Sequence, residues 1–103
     1  LVERGGDAVI KATDENGGTA LMLASLNGHV EVVKHLVERG GDGVIKATLK
    51  DGRTALMRAS LNGHVEVVKH LVERGGDGVI KATAKDGRTA LMLASQNGHV
   101  EVV

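Results

Sequence analysis

A chain of 103 residues suits one ordinary domain or a short stack of repeats. Its 13 basic and 13 acidic side chains cancel, so no net field draws it to nucleic acid or to a membrane surface. Cysteine is absent, which removes disulfides, thiolate metal sites and thiol nucleophiles together, and no apolar run nears the ~20 residues that cross a bilayer.

These features predict a soluble chain, and Leu1 begins no signal peptide. Phe, Trp and Tyr are missing as well, so the core must be built from Leu, Val, Ile, Ala and Met. There are 15 Gly and no Pro, and the glycines fall at fixed intervals, the mark of regular turns.

In chain order, Leu1-Val2-Glu3-Arg4-Gly5-Gly6 returns as Leu36 to Gly41, 35 residues later. The same step separates Thr19, Thr54 and Thr89, then Gly28, Gly63 and Gly98, then His29, His64 and His99. Such a period must be settled before secondary structure is assigned. The opening segment reads as the tail of a helix whose start is missing, and His99 to Val103 as the start of one whose tail is missing. The predicted units are residues 1–13, the end of a truncated repeat with its linker; 14–48 and 49–83, two repeats; and 84–103, a truncated repeat.

Within one unit, Thr54 is placed to N-cap a helix, its hydroxyl accepting from a first-turn amide. Leu56, Ala59 and Ser60 follow at helical spacing, and Asn62-Gly63 ends the segment. His64-Val65-Glu66 starts a second helix with Glu66 favourably placed against the dipole. Val65, Val68, Leu71 and Val72 give this helix an apolar stripe, and Lys69 and Glu73 an i,i+4 pair on its wet side. Gly75-Gly76-Asp77 should stop it. From Gly78 to Asp86 the β-branched pair Val79-Ile80 and the polar Lys85-Asp86-Gly87 predict a short hairpin rather than a third helix. One such helix pair cannot bury its own apolar face, so neighbours must stack.

Asp14, Gly17, Thr19, Leu21, Ala24, Gly28, His29, Glu31, Val32, Val33, Leu36, Gly40 and Asp42, with their later copies, resemble the ankyrin-repeat pattern over nearly the whole chain. The resemblance implies an all-α fold, an ankyrin-repeat α-solenoid with short β-hairpin linkers and here a 35-residue period. It also implies a turn-bracing role for His29, His64 and His99, a concave face of hairpins and first helices that binds protein, and an intracellular location. Three departures stand out. The family's proline is Ala20, Ala55 or Ala90. Its histidine is Met22, Met57 or Met92, which packs instead of hydrogen-bonding. The period exceeds the usual ~33, and the two extra residues are expected to lengthen the hairpin finger by roughly 3 Å. The family's linker asparagine has no clear counterpart.

Catalytic readings fare poorly. Ser60 and His64, like Ser25/His29 and Ser95/His99, stand four apart, but no repeated acid completes a triad. His35 and His70 lie one period apart on the second helices and read as solvated surface histidines, not as zinc ligands, which are usually four to a site. Gly40-Gly41 and Gly75-Gly76 lack the Lys-Ser/Thr of a phosphate loop. No cofactor, metal site or enzymatic activity is predicted.

The differences between repeats point to a binding face. Leu36 to Val68 and Leu71 to Val103 differ at Leu49/Ala84, Arg58/Leu93 and Leu61/Gln96, and the first unit adds Asp14, Glu15, Asn16, Gly18 and Leu23. Residues 1–35 carry 3 basic and 5 acidic groups, 36–70 carry 6 and 4, and 71–103 carry 4 and 4. The predicted partner-binding residues are Asp14, Glu15, Leu49, Lys50, Arg53, Arg58, Ala84, Lys85 and Arg88. A protein partner is expected, with no nucleic acid and no membrane. The competing expectation is a consensus-like or engineered array without a dedicated partner, whose apolar edges (Leu1, Val2, Val102, Val103) drive head-to-tail self-association.

Overall fold

The computed structural model describes residues 6–101. Six helices follow in order: α1 Gly6–Lys11, α2 Ala20–Leu26, α3 Val30–Lys46, α4 Ala55–Leu61, α5 Val65–Lys81 and α6 Ala90–Gln96. The short helices α2, α4 and α6 pack side by side as one layer. Behind them α1, α3 and α5 form the second. The stack measures 40 × 25 × 22 Å.

Seven-residue helices are unstable in isolation, so their ends and contacts must hold them. Each is capped as its sequence predicts: Thr19, Thr54 and Thr89 accept at Oγ1 from the amides of Met22, Met57 and Met92, all at 3.2 Å. Gly63, at φ 71°, then turns the chain, and the His64 amide donates to the Ala59 carbonyl at 3.0 Å. α2 then packs against α3, and α4 against α5, the second helices of their own repeats.

The linker departs from the expected hairpin. Gly41 and Gly76 break the second helices with positive φ, after which the chain resumes as a further helical turn to Lys46 and Lys81. The reason is the paired glycines. A Cβ on Gly75 would stand 2.6 Å from a Val79 methyl and 3.0 Å from Ile45, so the first glycine makes room for the returning valine. The second supplies the backbone reversal. Val44, Ile45 and Val79 are buried; their β-branching fills a core and builds no strand. The residues beyond the usual period therefore sit beside a helical turn and do not extend a finger. What remains of the hairpin is its tip. Leu49 donates to the Arg53 carbonyl at 2.8 Å, and Thr48 pairs with Thr54 in an isolated antiparallel bridge.

Equivalent positions in the near-identical repeats also show which way each residue looks. Leu56 is 2% exposed and Leu91 52%; Leu93 is 1% exposed and Leu23 58%. Leu56, Met57 and Ile45 are buried while Leu91, Met92 and Ile80 are exposed, so these positions face the following repeat. Position 23/58/93 and the pair Val32/Val67 behave oppositely and face the preceding one. The stripe predicted for α5 is corrected accordingly: Val67 and Leu71 are fully buried, while Val65, Val68 and Val72 are only partly so. Lys69 lies 3.9 Å from Glu66, an i,i+3 pair, rather than from Glu73. The predicted edge residues Leu1, Val2, Val102 and Val103 lie outside the described residues.

Candidate partner-binding groove

Three tight turns precede α2, α4 and α6, closed by Asp14 to Gly18, Leu49 to Arg53 and Ala84 to Arg88 backbone hydrogen bonds of 2.8–2.9 Å. They stand in register because the Lys50 amide donates to the Asn16 carbonyl at 2.9 Å and the Lys85 amide to Asp51 at 2.8 Å. An aspartate stiffens each turn. Asp51 and Asp86 accept at Oδ1 from the amides two residues on, Arg53 at 3.0 Å and Arg88 at 3.1 Å. In the first turn the same task falls to Asp14, which is aligned with Leu49 instead, and which accepts from Gly18 at 2.8 Å and Asn16 at 2.9 Å. These two amides, with a smaller contribution from the Lys50 charge, hold the Asp14 carboxyl below its ordinary value.

Between the first two turns and the helices α2 and α4 lies a groove of about 350 Å³. Asp14, Leu49, Lys50 and Arg58 meet there, joined by Met22 and Leu23. Other predicted residues lie outside it. Glu15 is exposed on the first turn. Arg53 folds back toward Asp51, Nε to Oδ2 3.8 Å. On the third turn Lys85 is exposed, while Arg88 is held by Gln96 at 2.7 Å and by Asp86 at 3.7 Å. Ala84 is a correction. It is 5% exposed, beneath Gly52 of the preceding turn, and offers a partner almost no surface.

The histidines brace the stack across repeats. His64 donates through Nε2 to the Leu26 carbonyl at 2.8 Å, and Asn62 Nδ2 donates to the same oxygen at 2.8 Å. Asn97 and His99 repeat the arrangement on Leu61. The asparagines, which sequence reasoning used only as helix ends, share this role, and their 35-residue recurrence was the available signal. Ser60 Oγ is buried without a hydrogen-bond partner among the described residues, and the His64 Nε2 is spent on Leu26. His70, expected in solvent, is half-buried with its Nε2 shielded and unpartnered, because it lies one turn from Val67 on the side of α5 that faces the preceding repeat. Among the described residues no group of three or more His, Cys, Asp or Glu is placed to hold a metal, and no helix is long and apolar enough to cross a membrane.

Compared with known families, the sequence matches the model for ankyrin repeats in three copies, over residues 1–82 and 45–103. No curated protein matches it.

Proposed function

The chain belongs to the ankyrin-repeat family, whose members are generally non-enzymatic protein-interaction modules, and on that premise we propose that it binds a protein partner through the turns and first helices. Asp14, Glu15, Leu49, Lys50, Arg53, Arg58, Lys85 and Arg88 are the residues offered to that partner. One observation carries the reading: residues 30–48 and 65–83, which make α3 and α5 of the rear layer, are identical, whereas the substitutions between repeats, apart from Ala8 of α1 where the later repeats have Gly43 and Gly78, gather on the turns and on α2, α4 and α6. A surface selected only for stacking has no reason to vary on one side. The repeats divide at 14–48 and 49–83, with partial units at 1–13 and 84–103, so two adjoining units supply the groove.

The test is capture of partners from lysate by the wild type and by Arg53→Glu/Arg88→Glu. A saturable partner retained by the wild type and lost by the variant, with unchanged circular dichroism, is the expected result. Equal capture by both places the contact elsewhere.

A second reading is favoured by the end faces. Leu91, Met92 and Ile80 are exposed at one end of the stack and Leu23 and Val32 at the other, and equivalent residues are buried where two repeats meet. A second copy can seat one end on the other, a heterologous contact that propagates. Sedimentation velocity checks it: wild-type mass should grow with concentration and Met92→Glu should remain monomeric. A wild type that stays monomeric throughout removes this reading.

A further inference from the structure

We propose that Arg58 is the docking point for an acidic side chain on an extended partner segment laid along the groove between the first two turns. This rests on the concave-face reading and adds the chemistry of what binds there. Position 58 is Leu in the flanking repeats, at Leu23 and Leu93, so the guanidinium replaces a residue that the stack itself favours. Its Nε is shielded from solvent and has no hydrogen-bond acceptor among the described residues. Removing a donor from water without giving it an acceptor is costly. Among the described residues the ion pairs are Arg53–Asp51, Lys69–Glu66 and Arg88–Asp86, and Arg58 is in none of them.

The groove's acids do not balance it. Asp14 is engaged by the amides of Asn16 and Gly18 and lies within the field of Lys50. Asp51, which also lines the groove, is engaged by the amide and side chain of Arg53. The uncommitted charge is therefore positive, Arg58 within and Lys50 on the exposed rim. A carboxylate suits a guanidinium because the planar fork can give it two parallel hydrogen bonds. A single negative charge also suits a groove flanked by two aspartates better than a doubly charged phosphate does. Met22, Leu23 and Leu49 supply an apolar strip beside the cation, so the fitting segment pairs an Asp or Glu with a neighbouring aliphatic residue.

The experiment selects short random peptides displayed on phage against the wild-type protein. The best binder is then measured by fluorescence anisotropy on wild type, Arg58→Leu, Arg58→Lys and Arg53→Glu/Arg88→Glu, with circular dichroism confirming each fold. Leucine is the residue that the neighbouring repeats carry there, so the variant is expected to fold. Supporting results are enrichment of Asp or Glu beside an aliphatic residue, a loss of about tenfold or more on Arg58→Leu, partial retention on Arg58→Lys, and weakening with salt. A pool without acidic enrichment, or affinity within about twofold on Arg58→Leu, overturns the proposal. If such a pool is still lost on Arg53→Glu/Arg88→Glu, the concave-face reading survives and Arg58 alone is rejected. Peptides indifferent to every variant, or no recovered binder, count against both.

Discussion

Leu56 and Leu91 have the same chemistry at the same place in successive repeats, but one is buried and the other half-exposed. Truncating either to alanine removes the same three carbons. At about 0.8 kcal/mol per buried methylene the transfer cost at Leu56 is roughly 2.4 kcal/mol. The hole left behind raises it to about 3–4 kcal/mol, within the range for buried leucines. At Leu91 half of the side chain is already wet and no closed cavity forms, so the cost falls to about 1 kcal/mol. With a urea dependence of about 2 kcal/mol per molar for a chain of this size, the midpoints should differ by about 1 M. Urea titrations followed by helical circular dichroism, at two protein concentrations, measure this. Equal midpoints at low concentration would refute the packing argument. Midpoints that converge only at high concentration would show that a second copy covers Leu91.

A matched glycine pair tests the register of the turns. Gly52 and Gly87 share φ 86°, but a Cβ at Gly52 would lie 2.9 Å from the Lys85 amide nitrogen while one at Gly87 meets no atom of the described residues within 4 Å. Gly87→Ala should cost about 1–2 kcal/mol from backbone strain alone, and Gly52→Ala at least about 1 kcal/mol more; thermal melts giving equal losses would contradict the stacking of the turns. Replacing His64 or Asn62 by alanine should each cost about 1 kcal/mol, and the double variant more than the sum, since only then does the Leu26 carbonyl lose both donors; a simply additive double-mutant cycle would disprove the shared acceptor. The lowered Asp14 pKa means that its bracing is fully present above the ordinary value of 3.8 and is lost as pH falls through the lower folded value. An NMR titration of the Gly18 amide should have its midpoint below 3.8, and a midpoint at or above it would exclude the carboxylate–amide contacts.

The period, the helix pairs and the threonine caps were legible in the sequence because each depends on local chemistry recurring in phase. The extra helical turn after Gly41 and Gly76 was not. Val79-Ile80 carries strand propensity, and only the space over Gly75, visible in three dimensions, shows why valine returns there as helix. Nor can a sequence say why Val32 is exposed and Val67 buried, since the two sit in identical segments and differ only in what lies beside them. At the groove, Asp14, Lys50 and Arg58 were found from the differences between repeats. Ala84 was misplaced for the same reason: variation marked it, but Gly52 covers it. Asp14 also showed a register that alignment conceals, since it does for the first turn what Asp51, not Leu49, does for the second.

The carbonyls of Leu26 and Leu61 each receive an asparagine and a histidine from the unit that follows, which gives the array a polarity. A helix in one repeat is finished by donors encoded in the next, so information about a unit's stability is stored one period downstream. Extending the array is consequently not symmetric. A unit joined after α6 would bring two donors to the carbonyl at Gln96, the position equivalent to Leu26 and Leu61. A unit joined before α2 would instead bring an acceptor for Asn27 and His29. His64 and Leu26 lie 38 residues apart, more than one 35-residue period, so no single-unit cassette carries both a helix and the corner that completes it, and a swapped unit must keep its own Asn-Gly-His corner for the sake of the unit before it.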